Sequence, residues 1–208
     1  MSVRLISITS NAEKIIAYCA RVSNPAGQDR DDFAGLLKYC VRNKHWSIFE
    51  HAHLTVEITC SLAIATQLLR HRSFTFQQFS QRYATAGQLD FRLHPPSLRS
   101  QDSKNRQNSI DDLSAETKAY FNHKIEKLFH DTQELYNEML SQGVAKECAR
   151  FILPQATTTR LYMTGNIRDW FHYIQLRTGN GTQLEHCEIA NQIREIFREE
   201  LPIISQCL

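Results

Sequence analysis

The stretch 70–83 concentrates side chains that could recognise an anion. It holds Arg70, Arg72 and Arg82 together with one histidine and several amide and hydroxyl groups. Guanidinium groups ~5–8 Å apart repel one another by roughly 0.5–1 kcal/mol in water, so a fold that gathers them needs anions nearby. Guanidinium also suits two-point contact with phosphate or with a planar, carbonyl-bearing ring. A solvated basic face is the alternative, but the interleaved phenylalanines indicate that the stretch is held against a core.

Polar side chains also gather in a run that reads His45-x-Ser47-x-x-Glu50-His51-x-His53. Histidine and glutamate are zinc ligands, so a metal site is one hypothesis. The sequence contains no His-Glu-x-x-His motif, however, and nothing requires His45 to share a face with His51 or His53. Structural hydrogen bonding and an organic cofactor site are the other two hypotheses for this run.

Two later runs place an arginine at the end of a predicted helix or along one of its faces. In the run 147–154, Arg150 is the lone cation at a helix end that otherwise runs into apolar residues. An isolated arginine there most often pairs with Asp or Glu. In the run 166–177, Arg168 and His172 are four residues apart on one helical face, and Arg177 follows about two and a half turns after Arg168. By itself this second run could be a surface face.

Taken in order, the four runs resemble the motifs of the flavin-dependent thymidylate synthase family. Arg-His-Arg from residue 70, seven further residues, then Ser80 and Arg82 are similar to the family signature. Thr75 stands where the family usually has serine. Threonine keeps the hydroxyl and adds a methyl group. The other runs are similar to the family's His-x-Thr/Ser-x-x-Glu-His, its Ala-Arg-x-x-Leu-Pro and its Asn-x-Arg followed by Leu-Arg. The match covers most of the chain.

The resemblance implies that dTMP is made from dUMP by reductive methylation. It implies a methylene group from 5,10-methylenetetrahydrofolate and a hydride from reduced FAD, which NADPH regenerates. It also implies a homotetramer with sites shared between subunits, and it assigns no metal ion. By the family match Arg177 is the catalytic cation. At the carbonyl and N3 edge of the uracil it would stabilise negative charge and make C5 a better nucleophile, as an oxyanion hole does.

The resemblance assigns the remaining roles residue by residue. The residues expected to bind dUMP are Gln67, Leu68, Leu69, Arg70, Gln78, Phe79, Ser80, Gln81, Arg82, Arg150 and Arg177. The residues expected to bind FAD are His45, Ser47, Glu50, Arg70, His71, Arg72, Gln78, Asn166, Ile167, Arg168 and His172. Within the first set, Arg82 and Arg150 are expected to hold the phosphate. Within the second, His172 stands where many members of the family have asparagine.

The sequence offers little for covalent catalysis by a protein nucleophile. None of the six cysteines forms a Cys-x-x-Cys pair, and we expect buried, reduced thiols. A reactive cysteine needs an electropositive setting, whereas Cys148, although close to Arg150, is predicted to lie within an apolar helix. Ser80 has no apparent His-Asp pair to activate it, so we expect it to donate a hydrogen bond to the phosphate or the ring.

Periodicity predicts the elements that must position these residues. Strands are predicted at 3–8, 54–60 and 157–165, and helices at 10–19, 33–41, 61–69, 114–143, 145–153, 166–177 and 182–201. Capping boxes, Ser10 with Glu13 and Thr182 with Glu185, are predicted to open the first and last helices. We therefore expect an α+β fold in one domain over 1–208: a small, mostly antiparallel sheet covered by helices, with one long amphipathic helix. The polar segment 89–110 is expected to be an excursion, of the kind that is usually functional or mobile.

Composition narrows the class of protein. An apolar fraction of 42% and a charged fraction of 22% are typical of a soluble globular protein. A net charge of +2 is too balanced for a general nucleic-acid binder, and no run reaches the ~18 apolar residues of a membrane span. No signal peptide is recognised, so we expect a cytoplasmic protein. The alternatives are a nucleotide- or RNA-binding module that uses residues 70–83, and a His/Glu metal hydrolase at 45–53.

Overall fold

Alternating apolar and polar residues at 53–61 form a central strand of the fold. The computed structural model describes residues 1–89, 94, 95 and 97–208. In it, β2 (His53–Ser61) buries Leu54, Val56 and Ile58, whose side chains point to one face. This strand belongs to a four-stranded sheet. The order of the sheet is β1 (Ser2–Ile8), β2, β6 (Thr158–Asn166) and β3 (Thr75–Gln78).

The chain divides into two compact units, each built from several segments. The first unit comprises Met1, Thr59–Leu68 and Gln78–Arg160. The second unit comprises Ser2–Ile58, Leu69–Gln77 and Leu161–Leu208. The expectation of one domain over residues 1–208 stays a prediction.

Four helices belong to the second unit: α1 (Ala12–Ala20), α2 (Ala34–Arg42), α6 (Ile167–Arg177) and α7 (Leu184–Glu200). Helix α6 begins where Asn166 Oδ1 accepts a hydrogen bond from the Asp169 N–H at 2.9 Å, which confirms the predicted cap. Its Trp170 is fully buried and donates its indole N–H to the Leu54 carbonyl at 2.9 Å. Truncating a buried tryptophan costs about 3–5 kcal/mol, so this contact fixes α6 on β2.

A close approach in the second unit holds residues 69–77 against the core. A Cβ at Gly165 would lie 2.5 Å from the Phe74 ring, so only glycine admits Phe74 at this place. Phe74 is 8% exposed, and its ring meets Trp170 at 4.6 Å between centroids. The expectation that this part of the basic stretch packs on a core is confirmed.

The first unit contains α3 (Leu62–Leu68), α4 (Ala115–Ser141), α5 (Lys146–Ala149) and a hairpin of β4 (Ser100–Gln101) and β5 (Ser109–Ile110). Ser114 caps α4 by accepting a hydrogen bond from the Thr117 N–H at 3.1 Å. Tyr136 is the buried residue of α4, and its hydroxyl accepts from the Ala86 N–H at 3.3 Å. Much of the apolar face predicted for this long amphipathic helix is exposed, including Phe121, Leu128 and Leu135.

Both predicted capping boxes are wrong. Helix α1 has Asn11 at its N-cap with φ of +53° and no side-chain cap, and the Glu13 carboxylate instead accepts the N–H groups of Ile203 and Ile204, each at 2.8 Å. Helix α7 has Gln183 at its N-cap, again without a side-chain cap. Thr182 donates its hydroxyl to the Leu176 carbonyl at 3.4 Å. In both cases a side chain of the predicted capping box bonds to a backbone group outside its own helix.

Three further differences concern the length or the presence of an element. The predicted helix 145–153 is shorter: α5 ends at Ala149, and a 3₁₀ helix (Arg150–Ile152) follows. Strand β3 was not predicted, because four residues with mixed polarity carry no clear period. The predicted excursion 89–110 contains the hairpin, while its residues 90–93 and 96 lie outside the described part of the chain.

The fold class is confirmed. The protein is α+β, with a small antiparallel sheet, covering helices and one long amphipathic helix, α4. Within the residues that the structure describes, none of the helices combines the length and the apolar character that crossing a membrane requires.

Candidate active site

The predicted catalytic residue Arg177 makes its contact with His71 in the second unit. Arg177 ends α6, and its Nε donates a hydrogen bond to His71 Nε2 at 3.0 Å. A guanidinium has donors only, so the Nε2 of His71 must be an unprotonated acceptor and the ring is neutral, with its proton on Nδ1. Burial, together with the charge of Arg177, lowers the pKa of His71 to about 4. The neutral ring therefore persists at physiological pH.

Three aromatic rings surround His71. Phe74, Tyr173 and His186 present their rings nearly at right angles to it, with centroids 6.3, 5.0 and 6.0 Å away. His186 is fully buried, and its Nε2 lies 3.1 Å from the Tyr173 hydroxyl. Burial, with smaller effects of Arg177 and His71, lowers the pKa of His186 to about 3.

Tyr173 and His186 were not among the predicted site residues. The motif run 166–177 includes Tyr173, but its tyrosine reads as an ordinary core residue. His186 falls in the apolar stripe of α7, three, seven and eleven residues before Ile189, Ile193 and Phe197. A titratable residue inside such a stripe is the signal that could have identified it.

A second group of predicted FAD residues forms around the start of α6. The Arg168 guanidinium pairs with the Glu50 carboxylate, and both side chains are partly exposed. The N–H of buried Ile167 donates to the Ala52 carbonyl at 2.9 Å, and the Asn166 side-chain oxygen is used by the cap described above. Any ligand contact by Asn166 or Ile167 must therefore use their remaining atoms.

Aromatic side chains line the neighbouring part of this group. The 3₁₀ helix Trp46–His51 places Trp46 against His172, with centroids 4.6 Å apart. Burial and the nearby Arg168 lower the pKa of His172, so its ring is neutral near pH 7. His45 lies edge-on to Tyr39 at 5.8 Å and Ser47 is exposed. The structure thus brings Trp46 and His172, which the motifs place far apart in sequence, into contact.

Arg70 and Arg72 differ from Arg168. Both are exposed residues of the second unit, as is Leu69. Neither arginine belongs to an ion pair within the described parts of the chain. They are cations whose charge no carboxylate of the described chain neutralises.

In the first unit, the predicted phosphate residue Arg82 pairs with a carboxylate. Its Nε and Nη2 donate to Glu147 Oε2 at 3.1 and 2.9 Å. The two side chains are 67% and 53% exposed, and an ion pair so exposed stabilises a protein by about 0–1 kcal/mol. Arg150, the other phosphate residue, has its guanidinium 5.8 Å from the centre of the Phe151 ring. No ion pair of Arg150 occurs among residues 1–89, 94, 95 and 97–208.

The other residues of the first unit that are predicted to bind dUMP differ in their hydrogen bonds and in their burial. The Phe79 N–H donates to the Arg160 carbonyl at 2.8 Å, and the Ser80 carbonyl accepts from Tyr83 and Ala84 in a turn. Gln78 donates to the Thr159 hydroxyl at 3.2 Å. Gln81 is buried, and its Nε2 has no hydrogen-bond partner in the described chain, so it could serve a ligand. Gln67 is half-buried, and Leu68 belongs to the core.

The structure offers little support for the metal-hydrolase and RNA-binding alternatives. Across the described residues, the group with metal-ligand spacing is His130, Asp131 and Glu134 on α4, and none of these belongs to 45–53. The RNA-binding alternative needs several exposed stacking rings. Within 70–83, Tyr83 is 87% exposed, whereas Phe74 is buried and Phe76 and Phe79 are half-buried.

The cysteines are all free thiols. Burial raises the pKa of Cys60 to about 12 and also raises that of Cys40, so both stay protonated. The expectation of buried thiols holds for Cys40 and Cys60, whereas Cys19, Cys187 and Cys207 are half-buried. It is wrong for Cys148, which is exposed because its neighbour Ala149 is the residue of α5 that faces the core.

Comparison with known proteins adds the following. A family model described as thymidylate synthase complementing protein matches residues 4–203. The probable flavin-dependent thymidylate synthase of Paramecium bursaria Chlorella virus 1 is 53% identical, with 100% of this chain and 99% of that protein covered. The flavin-dependent thymidylate synthase of Synechocystis sp. is 46% identical at the same coverage of 100% and 99%. A crystal structure of the UMP/dUMP methylase PolB from Streptomyces cacaoi, bound with 5-Br dUMP, has a TM-score of 0.85 at 24% identity and covers 99% of this chain and 93% of that one. At that identity the likeness shows a common fold.

Proposed function

Because the chain belongs to the family of flavin-dependent thymidylate synthases, as its motifs predicted, we propose that it makes dTMP from dUMP with 5,10-methylenetetrahydrofolate as the methylene donor and NADPH as the reductant of FAD. Methylation of dUMP and dependence on a flavin follow from the family. The sources of the carbon and of the electrons, and the residues that act, are the proposal. A bound flavin supplies the hydride that completes the methyl group.

One observation carries the proposed mechanism: Arg177 has a neutral partner. A guanidinium that faces a carboxylate has most of its charge compensated, whereas His71 orients the Nε of Arg177 without cancelling its charge. Its Nη groups make no hydrogen bond within the described chain. They are available to the carbonyl and N3 edge of the uracil. There Arg177 stabilises the anionic form of the ring, in which negative charge is shared between the carbonyl edge and C5, and C5 of this form attacks the methylene carbon.

The chain's other residues contribute binding. Arg82 and Arg150 would hold the dUMP phosphate. The pair of Arg82 with Glu147 is exposed and weak, so a phosphate dianion can take the place of the carboxylate. The unpartnered amide of Gln81 is a donor for the same nucleotide. If the sites are shared between subunits, these residues and Arg177 need not come from one chain.

The donor set of the second unit fits FAD. The pyrophosphate of FAD requires cations that are not already neutralised, and Arg70 and Arg72 meet that requirement. Planar rings require aromatic neighbours, and Trp46 and His172 provide them. Ser47, Glu50, Arg168 and the free atoms of Asn166 add polar groups. We assign no metal ion to this site.

The exposed face of α4 supports the proposed homotetramer. Tyr120, Phe121, Leu128 and Leu135 are each about half exposed on a helix of 27 residues. Several large apolar side chains on one surface helix favour a protein–protein contact. Light scattering of the purified protein tests this: a tetramer mass is expected, and a monomer mass would contradict it. Cytoplasmic location and the absence of a nucleic-acid partner stay predictions.

The function is tested with purified protein. We expect flavin absorbance, NADPH oxidation that responds to dUMP, and dTMP that forms only when the folate is present. The variant Cys148→Ala should keep this activity, because no cysteine acts as a nucleophile. Protein that cannot take up FAD, or that forms no dTMP with all three substrates, would contradict the proposal.

A further inference from the structure

His186 is a fully buried titratable residue to which the proposed mechanism gives no role. It lies near the start of α7, and its neighbours on the same helical stripe are apolar. A buried imidazole must have hydrogen-bond partners, because an unsatisfied one costs about 1–3 kcal/mol. An apolar residue would fill this place in the core at lower cost. The polar ring therefore calls for an explanation in terms of what it contacts.

Its contacts lead to the Arg177–His71 pair. His186 Nε2 lies 3.1 Å from the hydroxyl of Tyr173, which is also buried. The rings of Tyr173 and His186 lie 5.0 and 6.0 Å from the His71 ring, at 75° and 88°. All of these residues belong to the second unit. Helices α6 and α7 therefore each place one ring against His71.

Tyr173 is linked to Arg177 a second time through α6. The two residues are four positions apart, so they share one face of the helix. Arg177 thus extends from the helix turn that follows Tyr173, and its Nε points to a histidine that Tyr173 packs against. The hydrogen bond between the Tyr173 hydroxyl and His186 Nε2 holds the Tyr173 ring in its orientation.

The orientation of the His71 ring matters for a simple reason. Only one lone pair of the neutral ring can accept the Nε–H of Arg177. If the ring turns, it presents the Nδ1 proton or its carbon edge, and Arg177 loses the contact that fixes its Nε. Edge-on packing against buried rings that are themselves hydrogen-bonded prevents such rotation.

We propose that His186, acting through Tyr173, is a positioning residue: it locks the His71 ring so that Nε2 accepts from Arg177 Nε and the Nη groups of Arg177 face the pyrimidine. This inference rests on the function proposed for Arg177. It adds that the hydrogen bond between His186 and Tyr173 is needed for the rate of the reaction as well as for packing.

The test uses His186→Phe, Tyr173→Phe and the double variant. Each single change keeps a ring but removes the hydrogen bond between His186 and Tyr173, and the double change removes both of its polar atoms. His186→Gln is the conservative variant, because its amide can still bond to the Tyr173 hydroxyl. Tyr162→Phe is the matched control: this tyrosine also belongs to the second unit, and its hydroxyl contacts Glu57 at 2.9 Å.

Four quantities are measured for each variant: the thermal midpoint, bound FAD per chain, kcat, and KM for dUMP. We expect kcat per FAD-loaded enzyme to fall about tenfold in both single variants, less than the ~10²-fold loss that a 1 Å misplacement can cause. KM should change little, because the orientation of Arg177 matters most in the transition state. The double variant should have a kcat no lower than that of either single variant, because the bond is lost in all three, and His186→Gln should keep most of the rate.

The outcomes separate this inference from the proposed function. If Arg177→Ala still forms dTMP at the normal rate, the role of Arg177 fails and this inference fails with it. If Arg177→Ala is inactive while the single variants keep normal kcat and lose only thermal stability, His186 is a packing residue and only this inference is overturned. Should His186→Phe not fold, the nearly isosteric Tyr173→Phe decides the question by the same criteria.

Discussion

Arg177 of the second unit and Arg82 of the first unit have opposite kinds of partner. Arg177 donates to a neutral, half-buried histidine, and no carboxylate of the described residues compensates the charge of its guanidinium. In the first unit, Arg82 faces the carboxylate of Glu147 in an exposed pair. The first arrangement is fixed before a substrate arrives and is suited to act on developing charge. The second is weak and exchangeable, and is suited to bind a phosphate that displaces the carboxylate. We therefore propose that Arg177 acts in catalysis and that Arg82 acts in binding.

After the loss of Arg177 itself, the largest effect is expected when its acceptor is removed. His71→Phe keeps a ring in place but leaves no lone pair for the Arg177 Nε. We expect kcat to fall about 10²-fold, because losing one preorganised electrostatic group at a developing charge costs on the order of 10²–10³. Turnover of FAD-loaded enzyme measures this. A rate within threefold of the original would mean that His71 does not orient Arg177.

Acid should destabilise the second unit through the buried His186 and the half-buried His71. The folded-state pKa values of His71 and His186 are lowered to about 4 and about 3 from 6.5. As pH falls below 6.5, the unfolded chain takes up protons that the folded chain does not, so the free energy of unfolding decreases until the folded pKa values are reached. Urea unfolding at pH 7.5 and pH 5 should differ by about 2 kcal/mol for His186 and by up to as much again for His71, whose partial exposure screens the effect, since one pKa unit corresponds to about 1.4 kcal/mol.

The matched variant for this prediction is His186→Phe, which removes one of the two titrating groups. Its loss of stability on acidification should be about half as large. Equal stability of the original protein at both pH values would show that the histidines are not held neutral.

The next effect concerns the phosphate arginine. Arg82→Ala should raise KM for dUMP about tenfold and leave kcat within about threefold, because a contact made equally in ground and transition states changes binding only. Arg198→Ala, which removes an exposed guanidinium paired with Glu195 on α7, is the control. A loss confined to kcat would remove the distinction between the two arginines.

The smallest effect is expected from the partner of Arg82. Glu147→Gln removes the competing charge, so KM for dUMP should fall, by about threefold at most, because an exposed pair contributes only about 0–1 kcal/mol. Steady-state kinetics at low ionic strength, where screening is weakest, gives the clearest measurement. An increase in KM would indicate that Glu147 helps to place Arg82 for the phosphate.

Local patterns in the sequence predicted the elements that position the site. Alternation located β2, and the cap at Asn166 located the start of α6, because each depends on neighbours in the chain. The capping box at Ser10 failed for the opposite reason: Glu13 bonds to Ile203, 190 residues away. Such a partner leaves no periodic trace, and only the folded chain reveals it.

The same limit applies to the site. The motifs identified His71 and Arg177 separately, but their hydrogen bond spans 106 residues, and burial together with the charge of Arg177 lowers the pKa of the histidine. His186 has no motif at all, and its relevance follows from contacts with Tyr173 and His71. The family resemblance predicted the site residues. Their protonation states and their hydrogen-bond partners required the structure.

The central claim is that Arg177 activates the uracil by charge alone, and Arg177→Ala tests it most directly. FAD-loaded variant enzyme is mixed with NADPH, folate and saturating dUMP, and dTMP is measured in a single turnover beside Arg177→Lys and Arg198→Ala. We expect full FAD content with no detectable dTMP for Arg177→Ala, a slow rate for Arg177→Lys, whose compact charge lacks the forked donors, and a normal rate for Arg198→Ala. dTMP formation by Arg177→Ala at the rate of the original enzyme would contradict the account.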